Sequence, residues 1–174
     1  MGYVAVKGGI EAIEQACRLF AHERMKGESG PLEVKLWISS SAVDTDFTDK
    51  LLDVYPASDD FPGGFDMNIG DGIRRTRFRD SLKSEKMMTP GEISPLTIRL
   101  YPTSNIFKRG HRIRVDISSS NFPRFDVNPN TGEPLNDNRR TQIAHNTIYL
   151  DAQHPSQIVL PVIPAAAATT NSPK

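Results

Sequence analysis

Pro31-Leu-Glu-Val-Lys-Leu-Trp-Ile-Ser39 decides the class of fold. Leu32, Val34, Leu36 and Ile38 alternate with Glu33, Lys35, Trp37 and Ser39. That is the period of a strand with one face in a core and the other toward water or a partner. The same period returns in Phe47 to Tyr55, Ile73 to Arg79, Leu96 to Tyr101, Ile113 to Ser118, Thr147 to Asp151 and Ile158 to Val162. Connections rich in Gly, Pro, Asn and Asp separate these segments, and each of those residues favours turns. Seven or so short strands so spaced predict an all-β antiparallel sandwich. No helix of useful length lies between them, which argues against a parallel sheet with crossover helices.

Upstream of Pro31 the pattern changes. Ile10, Ile13, Cys17 and Phe20 recur at three- and four-residue steps, with Ala12, Ala16 and Leu19 widening the stripe. The spacing predicts one amphipathic helix over 10–24, stopped by Gly27-Glu-Ser-Gly-Pro31. Tyr3 to Val6 forms a short strand candidate before Gly8-Gly9. Residues 1–28 thus read as a strand–helix appendage, 29–164 as the sandwich and 165–174 as a frayed tail.

The whole chain has 174 residues, 37% of them apolar, which suits one domain with a real core. Its 21 basic and 21 acidic side chains cancel, so there is no general electrostatic reason to bind nucleic acid or an anionic membrane. No apolar run approaches the roughly 20 residues of a membrane span. No secretory signal opens the chain, and the single cysteine, Cys17, excludes an internal disulfide and a cysteine-based zinc cluster. A cytoplasmic location is expected.

Catalytic motifs are wanting. A serine hydrolase needs a sharply turned nucleophile, a histidine base and an orienting acid. The nearest approach to Gly-x-Ser-x-Gly is Gly27-Glu-Ser-Gly-Pro31, where proline stands in place of the second glycine. His145 and His154 flank Asp151, but strand-end histidines held by hydrogen bonds are the plainer reading. Asp44, Asp46 and Asp49, and again Asp59, Asp60, Asp66 and Asp71, form acidic groups without helix–loop–helix calcium spacing. Turn and capping roles outweigh a metal there. Arg74, Arg75, Arg77 and Arg79, followed by Lys83 and Lys86, suit either anion binding or pairing with neighbouring carboxylates, and pairing prevails. Lys7-Gly8-Gly9 falls short of a phosphate-binding loop.

The longest connection, Asn121 to Thr141, is too long for a simple turn and is expected to be functional or part of an interface. It follows three serines in Ser118-Ser-Ser-Asn-Phe-Pro-Arg-Phe-Asp-Val-Asn-Pro-Asn-Thr-Gly132. Asn121, Phe122, Arg124, Phe125 and Asp126 are its candidate contact residues, the phenylalanines anchoring and Arg124 pairing with Asp126 or across the boundary.

Four blocks carry a family resemblance. They are Leu36-Trp-Ile-Ser-Ser-Ser-Ala-Val-Asp-Thr-Asp-Phe-Thr-Asp-Lys-Leu-Leu-Asp-Val-Tyr-Pro56, Gly70-Asp-Gly-Ile-Arg-Arg-Thr-Arg-Phe-Arg-Asp-Ser-Leu82, Leu100-Tyr-Pro-Thr-Ser-Asn-Ile-Phe107 through Asn128-Pro-Asn-Thr-Gly132, and His154-Pro-Ser-Gln-Ile-Val-Leu-Pro-Val-Ile-Pro164. Together they resemble the C-terminal domain of X-Pro dipeptidyl-peptidases and cocaine-esterase-like (CocE/NonD) acyl hydrolases. The resemblance implies a jelly-roll sandwich, similar to galactose-binding domains, that packs beside a catalytic α/β-hydrolase domain. It also implies that the triad lies on that other domain, so no catalytic residue, cofactor or metal is assigned here. The family has strand sequence ahead of the block beginning at Gly30, so the first one or two strands are expected to be missing. An exposed sheet edge would then favour self-association. Met1 to Lys26, with Tyr3-Val-Ala-Val-Lys-Gly-Gly9, resembles instead the N-terminus of a carbon–phosphorus lyase core-complex subunit.

Two other functions compete with an accessory domain. A stand-alone carbohydrate- or ligand-binding sandwich requires Trp37, Tyr55 and Tyr101 to share one exposed face. A self-sufficient hydrolase requires a nucleophile motif that the sequence lacks. A phosphonate-related role has only the N-terminal segment behind it.

Overall fold

In the computed structural model, residues 30–160 are described, apart from 104 and 138. Seven strands run β1 (Gly30–Ser40), β2 (Asp46–Tyr55), β3 (Phe65–Arg75), β4 (Ser94–Thr103), β5 (Arg112–Ser118), β6 (Asn146–Tyr149) and β7 (Gln157–Val159). One sheet is ordered β4-β1-β6, with β7 also on β1; the other is β3-β2-β5. Every pairing is antiparallel. The all-β sandwich expected from the period-two segments is present.

The alternation in β1 explains the core. Leu32, Val34, Leu36 and Ile38 are buried and meet Leu96, Ile98 and Leu100 of β4, Phe47 and Leu51 of β2, and Ile117 of β5. Each such side chain contributes about 1.5–3 kcal/mol through removal of apolar surface from water. Met88, between β3 and β4, completes the cluster.

Three strands differ from the sequence expectation; the one expected over Ile158 to Val162 is Gln157–Val159, with Leu160 already outside it and 161 onward outside the described residues. The segment expected over Ile73 to Arg79 begins earlier, at Phe65, and ends at Arg75, where Thr76–Phe78 turns into one 3-10 turn. Phe65-Asp-Met-Asn-Ile-Gly-Asp-Gly72 has turn composition, yet pairing with β2 holds it extended. The strand expected through Asp151 stops at Tyr149, because Asp151 Oδ1 accepts hydrogen bonds from the backbone N–H groups of Gln153 (2.8 Å) and His154 (2.9 Å). The expected helix over 10–24, the strand candidate at Tyr3 to Val6 and the tail over 165–174 lie outside the described residues. No described helix is long and apolar enough to cross a membrane.

The Asp49 carboxyl sits inside the sandwich without a counter-charge among the described residues, unlike Asp53 further along β2, which pairs with His111 (2.8 Å). Asp49 follows Phe47 and precedes Leu51 on the inward face of β2, and it is fully buried. Across from it lies Gly72 of β3, whose missing side chain makes the room: a Cβ there would stand 2.7 Å from Asp49 Oδ1 and 2.9 Å from Ile98 Cγ2. Neither Asp49 oxygen has a hydrogen-bond partner of good geometry. Burial, with nearby Asp71 adding to it, pushes the Asp49 carboxyl from the ordinary 3.8 to about 7, while the backbone N–H groups of Asp49 and Gly72 draw it back only partly.

The folded chain therefore holds a proton that the unfolded chain releases near pH 3.8. Between there and about pH 7 the folded state binds more protons, so stability from this group falls as pH rises, and the loss is complete above about pH 7. Asp49→Asn, a neutral isostere, is expected to raise the melting temperature relative to the parent at about pH 8 and to leave it little changed at about pH 4. Thermal melts of both proteins across that range measure the difference.

Candidate interface site

The turn after β3 is built on Asp44. Its Oδ1 accepts from the Thr76 hydroxyl (3.0 Å) and the Arg77 backbone N–H (3.0 Å), and its Oδ2 from Arg77 Nε (2.8 Å). Both members of the Asp44–Arg77 pair are buried, with side chains 0% and 2% exposed. Arg77 Nη2 also donates to the Glu133 carbonyl (3.0 Å), and Nη1 lies 3.4 Å from Glu85. Next to it, Arg75 grips Asp46 with two hydrogen bonds, Nε to Oδ1 (2.9 Å) and Nη2 to Oδ2 (3.0 Å). These bonds from Asp46 hold the Arg75 guanidinium above its ordinary value against the opposing effect of burial.

Asn128 joins both pairs. Its Nδ2 donates to Asp46 Oδ1 (2.8 Å) and to Asp44 Oδ2 (3.1 Å), and its own Oδ1 accepts from the Asn130 N–H (2.9 Å). A loop residue is thereby locked to β2 and to the approach to it. Gly132 closes the same loop with φ 72°, where a Cβ would also come within 2.8 Å of Val43 Cγ2. At the other end of the loop, Asn121 Nδ2 (3.2 Å) and Arg124 Nε (2.6 Å) both reach Asp71 Oδ2 on β3. Arg124 also stacks its guanidinium 5.6 Å from the centre of the Phe125 ring.

The five residues singled out in the sequence are therefore in one place but not in equivalent roles. Asn121 and Arg124 tie the loop to the sheet; the partner of Arg124 is Asp71, not Asp126 as expected from sequence proximity. Phe125 is half-buried, and Asp126 is exposed. Phe122 is left 69% exposed at the tip, with Val127 also exposed. Arg124, Phe125 and Asp126 share a shallow open cleft of about 400 Å³ with Asp46, Ile73, Arg75 and Phe78. Asp71 and Asn128, the residues that shape the loop, escaped sequence reasoning as partners. Asn128 lies 82 and 84 positions from its carboxylates, and no local spacing announces that.

The remaining candidates resolve into structure. The arginine strip pairs with carboxylates or carbonyls: besides Arg75 and Arg77, Arg74 donates to the Thr97 carbonyl (3.2 Å), and Arg79 to the carbonyls of Thr76, Lys86 and Met87. Of the acidic groups, Asp66 pairs with Arg114 (2.8 Å), while Asp59 and Asp60 are exposed. His154 leans on Asp151 (3.1 Å) and edges against Trp37. Ser156 nearby is spent on backbone, its hydroxyl donating to the Tyr149 carbonyl (2.6 Å) and accepting from the Trp37 N–H (2.9 Å). These three residues form no Ser–His–Asp relay. The aromatic platform does not form: Tyr55 belongs to the other sheet, against Phe65 and His111, and Tyr101 stands six residues from Pro95, the partner of Trp37, or about 20 Å along β4.

The model of X-Pro dipeptidyl-peptidase C-terminal non-catalytic domains matches residues 29–159, most of the chain. The chain belongs to that family. Cocaine esterase of Rhodococcus sp. (strain MB1 Bresler) is 44% identical over 137 residues, covering 78% of this chain and 23% of the esterase. The solved structure of an α-amino acid ester hydrolase superposes with a TM-score of 0.74 at 32% identity, over 81% of this chain and 24% of that one. An aminopeptidase from a marine-sediment Thaumarchaeota archaeon gives the same TM-score at 28% identity, with the same coverage. The chain spans about a quarter of the length of these relatives. As a member of the X-Pro dipeptidyl-peptidase C-terminal family it corresponds to the accessory, non-catalytic part of larger hydrolases.

Arg77→Met leaves Asp44 buried with hydrogen bonds but without the cation paired to it. The expected cost is about 3–5 kcal/mol of folding stability, the range for breaking a buried pair from one side. Urea unfolding measures it.

Proposed function

We propose that this chain acts as the accessory C-terminal sandwich of an X-Pro dipeptidyl-peptidase- or acyl-esterase-type serine hydrolase and docks on a catalytic α/β-hydrolase domain through its Asn121–Gly132 loop. The observation that carries this reading is Phe122: a large apolar side chain, 69% exposed, on a loop tied to the sheets at both ends. An exposed aromatic on a pre-organised backbone is the composition of an interface anchor, because little ordering entropy is lost on binding. Phe125 and Val127 extend the apolar contact, and Asp126 supplies a charge at its rim.

The same reading takes 29–164 as the domain, in accord with the family match over 29–159, and 1–28 as an appendage of different origin. It takes the sandwich as a jelly roll of the galactose-binding kind. In support, the connections β1 to β2, β3 to β4, β4 to β5 and β5 to β6 each pass from one sheet to the other. A lone cysteine accords with the cytoplasm. Apart from its catalytic domain, the chain self-associates through an open sheet edge. The separation of Trp37, Tyr55 and Tyr101 gives a carbohydrate platform no support.

Two readouts on the purified full chain test the proposal. Treated with a fluorophosphonate serine probe, it shows no adduct by intact mass. Co-expressed with the catalytic part of the Rhodococcus cocaine esterase lacking its own C-terminal domain, it co-purifies, and Phe122→Ser weakens retention roughly tenfold. A stoichiometric adduct lost on unfolding overturns the accessory role, and retention unaffected by Phe122→Ser overturns the role of the loop.

A further inference from the structure

The edges of the two sheets are not equally protected. On β4, Pro95 and Pro102 lack the N–H that a new strand would need. The pairing of β3 with β2 slips between Leu51 and Leu52, leaving Ile69 of β3 without a partner and bending that edge. β6 has four residues and β7 three, too few for a lasting ladder. β5 is different. Its seven residues, Arg112-Ile-Arg-Val-Asp-Ile-Ser118, contain neither proline nor glycine, and they pair with β2 without a register shift. Among the described residues nothing pairs with its other side.

The sequence of that strand is complementary to its own reverse. If two copies lie antiparallel about Val115, Val115 faces Val115 of the second copy and Ile113 faces Ile117. Arg114 faces Asp116 twice over, and Arg112 faces Ser118. Like also meets like across the sheet. Ile113, Val115 and Ile117 are on the side that packs on the core. Arg114 and Asp116 are on the outer side, with side chains 37% and 29% exposed; Arg114 lies 3.1 Å from Asp116 on its own strand and 2.8 Å from Asp66 of β3. In the registers displaced by two residues a like pair falls at the centre, Arg114 against Arg114 in one and Asp116 against Asp116 in the other.

We infer that the β5 edge is the self-association surface of this chain, and that its occupant is the β5 edge of a second copy. The pairing is antiparallel about Val115 and makes one six-stranded sheet from two β3-β2-β5 sheets. The inference deepens the self-association proposed above by naming its strand and register, and it is independent of the loop carrying Phe122. Opposite charges directly across a ladder favour it, and like charges in those positions oppose it. The contact is small, so the dimer is a micromolar one.

Sedimentation equilibrium of the full chain tests this. The parent protein dimerises in the range of about 10–100 µM. Asp116→Arg places like charges across both symmetry-related pairs and weakens the dimer roughly tenfold or more. Adding Arg114→Asp to Asp116→Arg exchanges the charges, restores both pairs and returns the dimer to within about threefold of the parent. Near-UV circular dichroism establishes that each variant is folded. Should a reversal prevent folding, Arg114→Gln with Asp116→Asn removes the charges without repulsion. The dimer of that variant then loses the salt dependence that the parent shows. A parent chain that stays monomeric overturns the inference. So does a dimer indifferent to Asp116→Arg, which would put the contact at an exposed apolar surface such as Phe61, Phe65 and Met67 instead.

Discussion

The buried pair of Asp44 and Arg77 is the constraint on which the rest of this domain is arranged. A charged pair taken out of water returns its desolvation cost only where geometry is good and the remaining donors and acceptors find partners. Here they do: Thr76, the Arg77 backbone, Asn128 and the Glu133 carbonyl fill the surrounding sites. Satisfying that one pair ends β3, sets the direction of the chain toward β4, and draws in the loop after β5. The neighbouring Arg75–Asp46 pair repeats the arrangement at the last residue of β3 and the first of β2.

A buried pair adds little net stability over apolar packing of the same volume, but it is costly to break from one side, so it fixes one geometry. The docking proposed above needs one surface held in one orientation. Apolar packing between sheets tolerates exchanges of shape and small shifts of register. A carboxylate shared by an amide and a guanidinium tolerates few. The loop bearing Phe122 is thus placed by polar geometry, while the sandwich beneath it is held by Leu, Ile and Val.

Much of this architecture is legible in the sequence. Where one face of a strand is buried and the other wet, as in Leu32 to Ile38, alternation reveals the strand directly. Alternation is lost at Phe65 to Gly72, because an edge segment with Asp, Asn and Gly takes its shape from the neighbour it pairs with rather than from its own residues. It misleads at Arg77 and Arg79, which continue the pattern after the backbone has turned. The candidate loop was visible through its length and its phenylalanines. Its supports were not, since Asp71 and Asn128 act across 50 to 84 positions of chain. Asp49 stood out as one of several acids, but only the close approach of its carboxyl to Gly72 shows that it points inward.

Those sequence separations also bear on time. Asn121 finds Asp71 across 50 residues, and Asn128 finds Asp44 across 84. Contacts so distant are slow to form before the β3-β2-β5 sheet has brought β2 and β3 into place, because each demands closure of a long stretch of chain. The loop consequently acquires its shape late, after the core has assembled. During synthesis, its aromatic tip becomes a defined surface only on a domain that is already folded, so the docking proposed for it waits until there is a finished domain to dock.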